Sequence, residues 1–176
     1  MLYTGKGDGG TTKLFGCAEE RIAKSSEVPE ALGALDELNA FLGFVKMHPL
    51  APERISKGLR EVQEALFIVQ AEVAGSDKRV KEGTAEAIGN IVNEIEKEIP
   101  PITGFSIAGG TELSAKLDVA RTIARRAERR VTAATLAGRA VSEPTKAYLN
   151  RLSSLLFAYA RLANHLVGVQ EENPKY

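Results

Sequence analysis

Five stretches of this chain carry apolar residues at steps of three and four, and each is bounded by proline or glycine. At 3.6 residues per turn, that spacing gathers the apolar side chains on one stripe of an α-helix. Residues 27–47 carry Leu32, Leu35, Leu38, Phe41, Leu42 and Val45, with Ser25 or Ser26 as capping residue and Pro29 in the first turn. Residues 52–74 repeat the pattern with Ile55, Leu59, Val62, Leu66, Val69 and Val73, between Pro52 and Gly75. Residues 84–99 carry Ile88, Ile91, Val92, Ile95 and Ile99 and stop at Pro100–Pro101. A fourth helix is predicted over 112–137, closed by Gly138, and a fifth over 143–171, with Pro144 near its start. Strand-period alternation is not found. The expectation is an all-α bundle of five helices with short connections, in a single domain spanning 1–176.

Charge narrows the classes of partner. Lys plus Arg and Asp plus Glu both number 23, so no global basic field draws nucleic acid, and any cationic patch must be local. No run of 18 apolar residues exists, and the N-terminus lacks the apolar core of a signal peptide. Cys17, the single cysteine, has no partner for an internal disulfide and is read as incidental. These observations lead us to expect a cytoplasmic protein without a membrane span.

The fourth helix, "LSAKLDVARTIARRAERRVTAATLAG", places Leu113, Leu117, Ala120, Ile123, Ala124, Ala127, Val131 and Ala134 on a broad apolar arc. Arg121, Arg125, Glu128 and Arg129 gather on an adjoining arc. Guanidiniums stacked on one stripe repel each other unless something negative joins them, and Arg grips phosphate through paired N–H donors. A solvated face satisfied by neighbouring carboxylates is the alternative. On the fifth helix Leu149, Leu152, Leu155, Leu156, Tyr159, Leu162 and Leu166 point to the core, and Asn150, Ser154 and Arg161 fall opposite. A ligand at Asn150 therefore needs a second wall, from a loop or a neighbouring subunit. The opening "YTGKGDGGTTKLFG" holds five glycines, three threonines and two lysines. Such a segment can cradle an anion on free N–H groups, or it can be a mobile terminus. It is not the Walker A pattern, because no four-residue spacer separates a glycine from a Gly-Lys-Ser/Thr unit.

Taken together, "YTGKGDGGTTKLFG", the lysine of "RIAKSS", "ALGALDELNAFLG", "FSIAGGT", "ARTIARRAERRV" and "YLNRLSSLLF" resemble the PduO-type ATP:corrinoid adenosyltransferases. The resemblance runs nearly end to end. It implies a five-helix bundle with ferritin-like up-down packing, assembled as a homotrimer with active sites between subunits. It implies that residues 1–24 form a glycine-rich nucleotide-binding segment, in which Thr4, Gly5, Lys6, Gly7, Thr12 and Lys13 bind ATP and Lys24 reaches its phosphates. Arg125, Glu128 and Arg129 match the family's arginine-glutamate motif and Asn150 its asparagine. Asp36 matches an aspartate that pairs across the subunit interface with the arginine at Arg125. Phe105 matches the aromatic residue bordering the lower face of the corrinoid. Three departures stand out: Ser154 replaces the family's aspartate in "NRLSD", Ala108 replaces the proline of "PGGT", and "TGKGD" varies the usual Thr-x-Thr-Gly-Asp.

The implied reaction moves the 5′-deoxyadenosyl group of ATP onto cobalt(I) of cob(I)alamin or a related corrinoid, with loss of triphosphate. Cobalt is the nucleophile, so the protein has only to position and neutralise, which suits a chain with two histidines and no triad. Arg125, Arg129, Lys24 and Phe105 would carry that work, with Mg²⁺ sharing the phosphate charge, Glu128 either orienting an arginine or touching Mg²⁺ through water, and a reductase supplying the reduced corrinoid. No protein metal-ligand set is assigned. A di-iron bundle would need Glu-x-x-His pairs, which neither His48 nor His165 supplies. A non-catalytic nucleotide-binding scaffold is the other rival.

Overall fold

The structure, a computed structural model, describes residues 3–15 and 21–176. Cys17 lies outside the described residues. Five helices form as the apolar spacing requires: α1 (Glu27–Lys46), α2 (Glu53–Ala74), α3 (Thr84–Glu98), α4 (Glu112–Leu136) and α5 (Glu143–His165). α4 packs against α1 and α5, α1 against α2, and α3 against α5. The interdigitating side chains are the predicted ones, among them Leu35, Leu38, Leu42, Leu59, Leu66, Leu117, Leu152 and Leu156, all with no exposed surface. Each such leucine contributes about 1.5–3 kcal/mol relative to exposure. No described helix is long and apolar enough to cross a membrane.

The ends follow local chemistry. Ser26, Pro52 and Ser142 stand at the N-caps of α1, α2 and α5, and Thr111 caps α4 by accepting the Ser114 N–H. Ser142 is itself served from α2. The buried Glu72 carboxylate accepts the Ser142 N–H at 2.6 Å and the Thr145 hydroxyl at 2.5 Å, and the Arg79 Nε stands 3.2 Å away. A side chain 70 residues upstream thus fixes where α5 begins.

Three features depart from the sequence reading. Thr11–Lys13 (β1) and Arg21–Ala23 (β2) form a short antiparallel ladder, with Thr11 opposite Ala23 and Lys13 opposite Arg21. Three residues per strand are too few to show alternation. α5 stops at His165 rather than 171, because the Val167 and Val169 N–H groups turn back onto the Asn164 carbonyl. Leu166 is consequently half exposed instead of in the core. Arg161 is buried rather than outward: its Nε meets Glu171 at 2.7 Å and its Nη2 donates to the Pro100 carbonyl at 2.8 Å. The Ile107 N–H donates to the Glu172 carbonyl, so the chain after α5 folds back along the 99–111 link.

Candidate active site

α4 divides its arginines by the face each occupies. Arg126 and Arg130 turn toward α1, where they pair with Glu37 and Glu30. Arg121, one stripe over, pairs its Nε with Asp118 at 3.0 Å and lies against the Phe157 ring, 5.8 Å from its centroid. Arg125 and Arg129 are exposed, and neither has a carboxylate partner among the described residues. The Arg129 Nη1 donates to the Arg125 carbonyl, which holds its guanidinium along the helix. Asp118, Glu37 and Glu30 are thus each paired with another arginine, and among the described residues Arg125 and Arg129 have no carboxylate partner.

These side chains converge. A cavity of about 300 Å³ is lined by Arg125, Glu128, Arg129 and Thr132 of α4 and by Asn150 of α5. Four predicted site residues from two helices thus share one small polar space. A second cavity of about 610 Å³ adjoins it, lined by Ile102, Phe105, Arg121, Arg125, Ser153, Ser154 and Phe157, with Gly104 and Ser106. Arg125 belongs to both walls. The first space offers guanidiniums and amide to an anion; the second offers two phenyl rings and an aliphatic side chain to a bulky apolar face. Phe105 is 81% exposed, so it is presented by its loop rather than packed as an anchor.

That loop is held by groups the sequence reading did not single out. The Asn164 Oδ1 accepts from the Thr111 N–H at 3.0 Å and its Nδ2 donates to the Gly109 carbonyl at 2.8 Å. Gly110 sits against this amide with φ +103°; a Cβ there would lie 2.7 Å from the Asn164 side chain, so only glycine fits. The loop residues and Asn164 are some 53 positions apart, and no local spacing signals the contact.

The opening segment is folded. Arg21, also missed in the sequence, donates through Nη2 to the Lys6 carbonyl at 2.5 Å and the Thr11 carbonyl at 2.8 Å, and through Nε to the Thr11 hydroxyl at 2.9 Å. Turns at Gly5–Asp8 and Gly7–Gly10 follow, with Thr4 accepting the Lys6 N–H, and Thr12 and Lys13 in β1. Lys24 lies over Gly7: a Cβ on Gly7 would stand 3.0 Å from the Lys24 Nζ and 3.3 Å from the Thr11 carbonyl. The structure therefore brings Lys24 to the glycine loop. Among the described residues it does not bring either to the arginines within one chain, since no described residue of the hairpin lines either cavity. Asp36 is exposed on α1.

Comparisons with known proteins agree with this geometry. A sequence model of the cobalamin adenosyltransferase family matches residues 2–163. The corrinoid adenosyltransferase of Bacillus subtilis is 34% identical over 175 residues, covering 96% of this chain and 89% of that protein. The corrinoid adenosyltransferase PduO of Citrobacter freundii is 33% identical over 171 residues, covering 93% of this chain; the chain spans half the length of that relative. A variant of the PduO-type ATP:corrinoid adenosyltransferase from Lactobacillus reuteri, solved in complex with cobalamin and ATP, superposes with a TM-score of 0.91 at 29% identity over all of both chains.

Proposed function

This chain belongs to the cobalamin adenosyltransferase family, and from that membership we propose that it transfers the 5′-deoxyadenosyl group of ATP to the cobalt of a reduced corrinoid. The Co–C bond forms as the C5′–O bond breaks, and triphosphate leaves with the bonding pair. The observation that carries this reading is the pair of adjoining cavities sharing Arg125, one cationic and one with an aromatic wall. Two substrates of opposite character must meet at one carbon, and a wall common to both spaces is where they would meet.

Arg125 and Arg129 hold the triphosphate, where charge grows as the C5′–O bond breaks. Fixed donors at that position are usually the largest source of rate. Asn150 orients the nucleotide from α5, and Phe105 excludes water from the lower face of the corrinoid. The glycine loop with Thr4, Gly5, Lys6, Gly7, Thr12 and Lys13, together with Lys24, closes over the phosphates from a neighbouring protomer of a homotrimer, and Asp36 pairs with Arg125 across that boundary. Residues 1–24 thus act as the nucleotide-binding segment of a single helical-bundle domain.

Mg²⁺ fits this site as a phosphate-bound ion. Glu128 supplies one carboxylate and Thr132 one hydroxyl on the cavity wall, and among the described residues no group of three acidic, histidine or cysteine side chains forms a cage. Such a donor set suits an ion that keeps most of its waters and neutralises phosphate charge. The setting is cytoplasmic, with a separate reductase as the source of reduced corrinoid.

Mixing the protein with ATP, Mg²⁺ and chemically reduced corrinoid tests the reaction. The visible spectrum of the alkylcobalt product should appear with one triphosphate released per corrinoid converted. Binding of both substrates without triphosphate release would leave a scaffold and overturn the proposal.

A further inference from the structure

Asp118 sits on α4 one turn before Arg121, almost fully buried, and its two carboxylate oxygens do different work. Oδ2 accepts the Gly109 N–H at 3.3 Å; Oδ1 accepts the Arg121 Nε–H at 3.0 Å. The carbonyl of Gly109 is held at the same time by the Ser114 hydroxyl at 3.0 Å and the Asn164 amide at 2.8 Å. Both polar groups of one peptide are therefore fixed, four residues after Phe105. Arg121, tethered through Nε, lies on the Phe157 ring in the wall of the cavity that Phe105 also lines. One carboxylate thus joins the loop that presents Phe105 to the arginine facing it.

The same carboxylate changes the electrostatics of the stripe. Arg121, Arg125 and Arg129 stand at successive turns of α4, and all three would attract a polyphosphate. Asp118 compensates the first. Arg125 and Arg129, which have no carboxylate partner within their own chain among the described residues, face the smaller cavity with Glu128 and Asn150. A corrin ring carries amide side chains and little net charge, so a neutralised arginine stacked on an aromatic ring suits it better than a free cation does.

Resting on the adenosyltransferase reading above, we propose that Asp118 is a positioning residue that assigns Arg121 to the corrinoid half of the site: it holds Arg121 and the Phe105 loop in register and keeps triphosphate to the Arg125–Arg129 half. A carboxamide cannot replace it. Asparagine has one acceptor oxygen for two N–H donors, so its NH₂ would face either Gly109 or Arg121 as a second donor.

Asp118→Asn tests this in the full-length protein. Hydrogen exchange of the segment 105–111 should quicken at least about tenfold, with the five helices unchanged. The KM for corrinoid should rise about tenfold or more while the KM for ATP stays within about twofold, and inorganic triphosphate should become competitive with corrinoid. Arg121→Gln should raise the corrinoid KM and leave loop exchange as it was, because Gly109 keeps its acceptor. Unaltered loop exchange in Asp118→Asn overturns the tether. Parallel rises in both KM values, with no change in triphosphate inhibition, overturn the positioning role and leave Asp118 structural. A wild-type protein that fails to alkylate corrinoid overturns the functional reading and this proposal with it; an active wild type with an indifferent variant overturns this proposal alone.

Discussion

At the scale of the residue, the decisive contrast is between arginines that look alike in the sequence. "ARTIARRAERRV" displays five identical side chains, and periodicity alone places Arg121, Arg125 and Arg129 on one stripe. What it leaves out is which of them are spent. Glu37 reaches Arg126 across 89 positions and Glu30 reaches Arg130, so the choice of free cations depends on the docking of α1 on α4. Arg129→Ala removes a charge-assisted phosphate contact of about 1.5–3 kcal/mol, so kcat/KM for ATP should fall roughly 10- to 100-fold. Circular dichroism should match wild type, because Arg129 is exposed and its side chain bonds only to the Arg125 carbonyl of its own helix among the described residues. Phe105→Ala should bind ATP normally, by calorimetry, and lose most turnover of corrinoid; unchanged turnover would remove Phe105 from the site. The role proposed for it rests on the family resemblance and on its exposed place in the cavity wall. The contacts that position its loop, through Asn164, Ser114 and Asp118, were not legible in the sequence, because each is a tertiary bond between polar residues that have no period.

Elements were the most legible layer. All five helices begin within one residue of where their caps and prolines place them, since those signals are local and act on backbone hydrogen bonds directly. The exception is instructive. α5 continues its apolar pattern through Leu166, yet the helix ends at His165, where the Asn164 carbonyl is taken by Val167 and Val169. The small hairpin escaped for the opposite reason: its register rests on Arg21 rather than on apolar alternation. Glu72 offers a test of how one element fixes another. Glu72→Ala deprives the Ser142 N–H and Thr145 hydroxyl of their acceptor and leaves Arg79 without its buried partner. The expected cost is about 3 kcal/mol. For a domain of this size that is on the order of 10 °C in Tm by calorimetry. Hydrogen exchange should locate the loss in the first turns of α5.

Across the whole molecule, hairpin and arginine stripe are separate constructions, and the proposed assembly joins one to the other between neighbours. Sedimentation should therefore give about three times the 18.9 kDa chain mass. Complementation is the sharper test. Lys24→Ala damages the loop and Arg129→Ala the stripe, and each homotrimer should be nearly inactive. Unfolded together at equal amounts and refolded, the two should regain up to about one quarter of wild-type activity, because a random mixture gives that fraction of boundaries an intact loop facing an intact stripe. A mixture no more active than its parents would place both halves of the site within one chain.

That no described residue of the hairpin lines the arginine cavities has a consequence for how such a chain would behave when scarce. In the proposed assembly a solitary copy would carry two complementary fragments of a nucleotide clasp and no finished one, so it would draw on the ATP pool only after meeting its own kind. Output per molecule should then climb with abundance before levelling off, and dilution alone should silence the catalyst; activity per chain that is constant across a dilution series would contradict this.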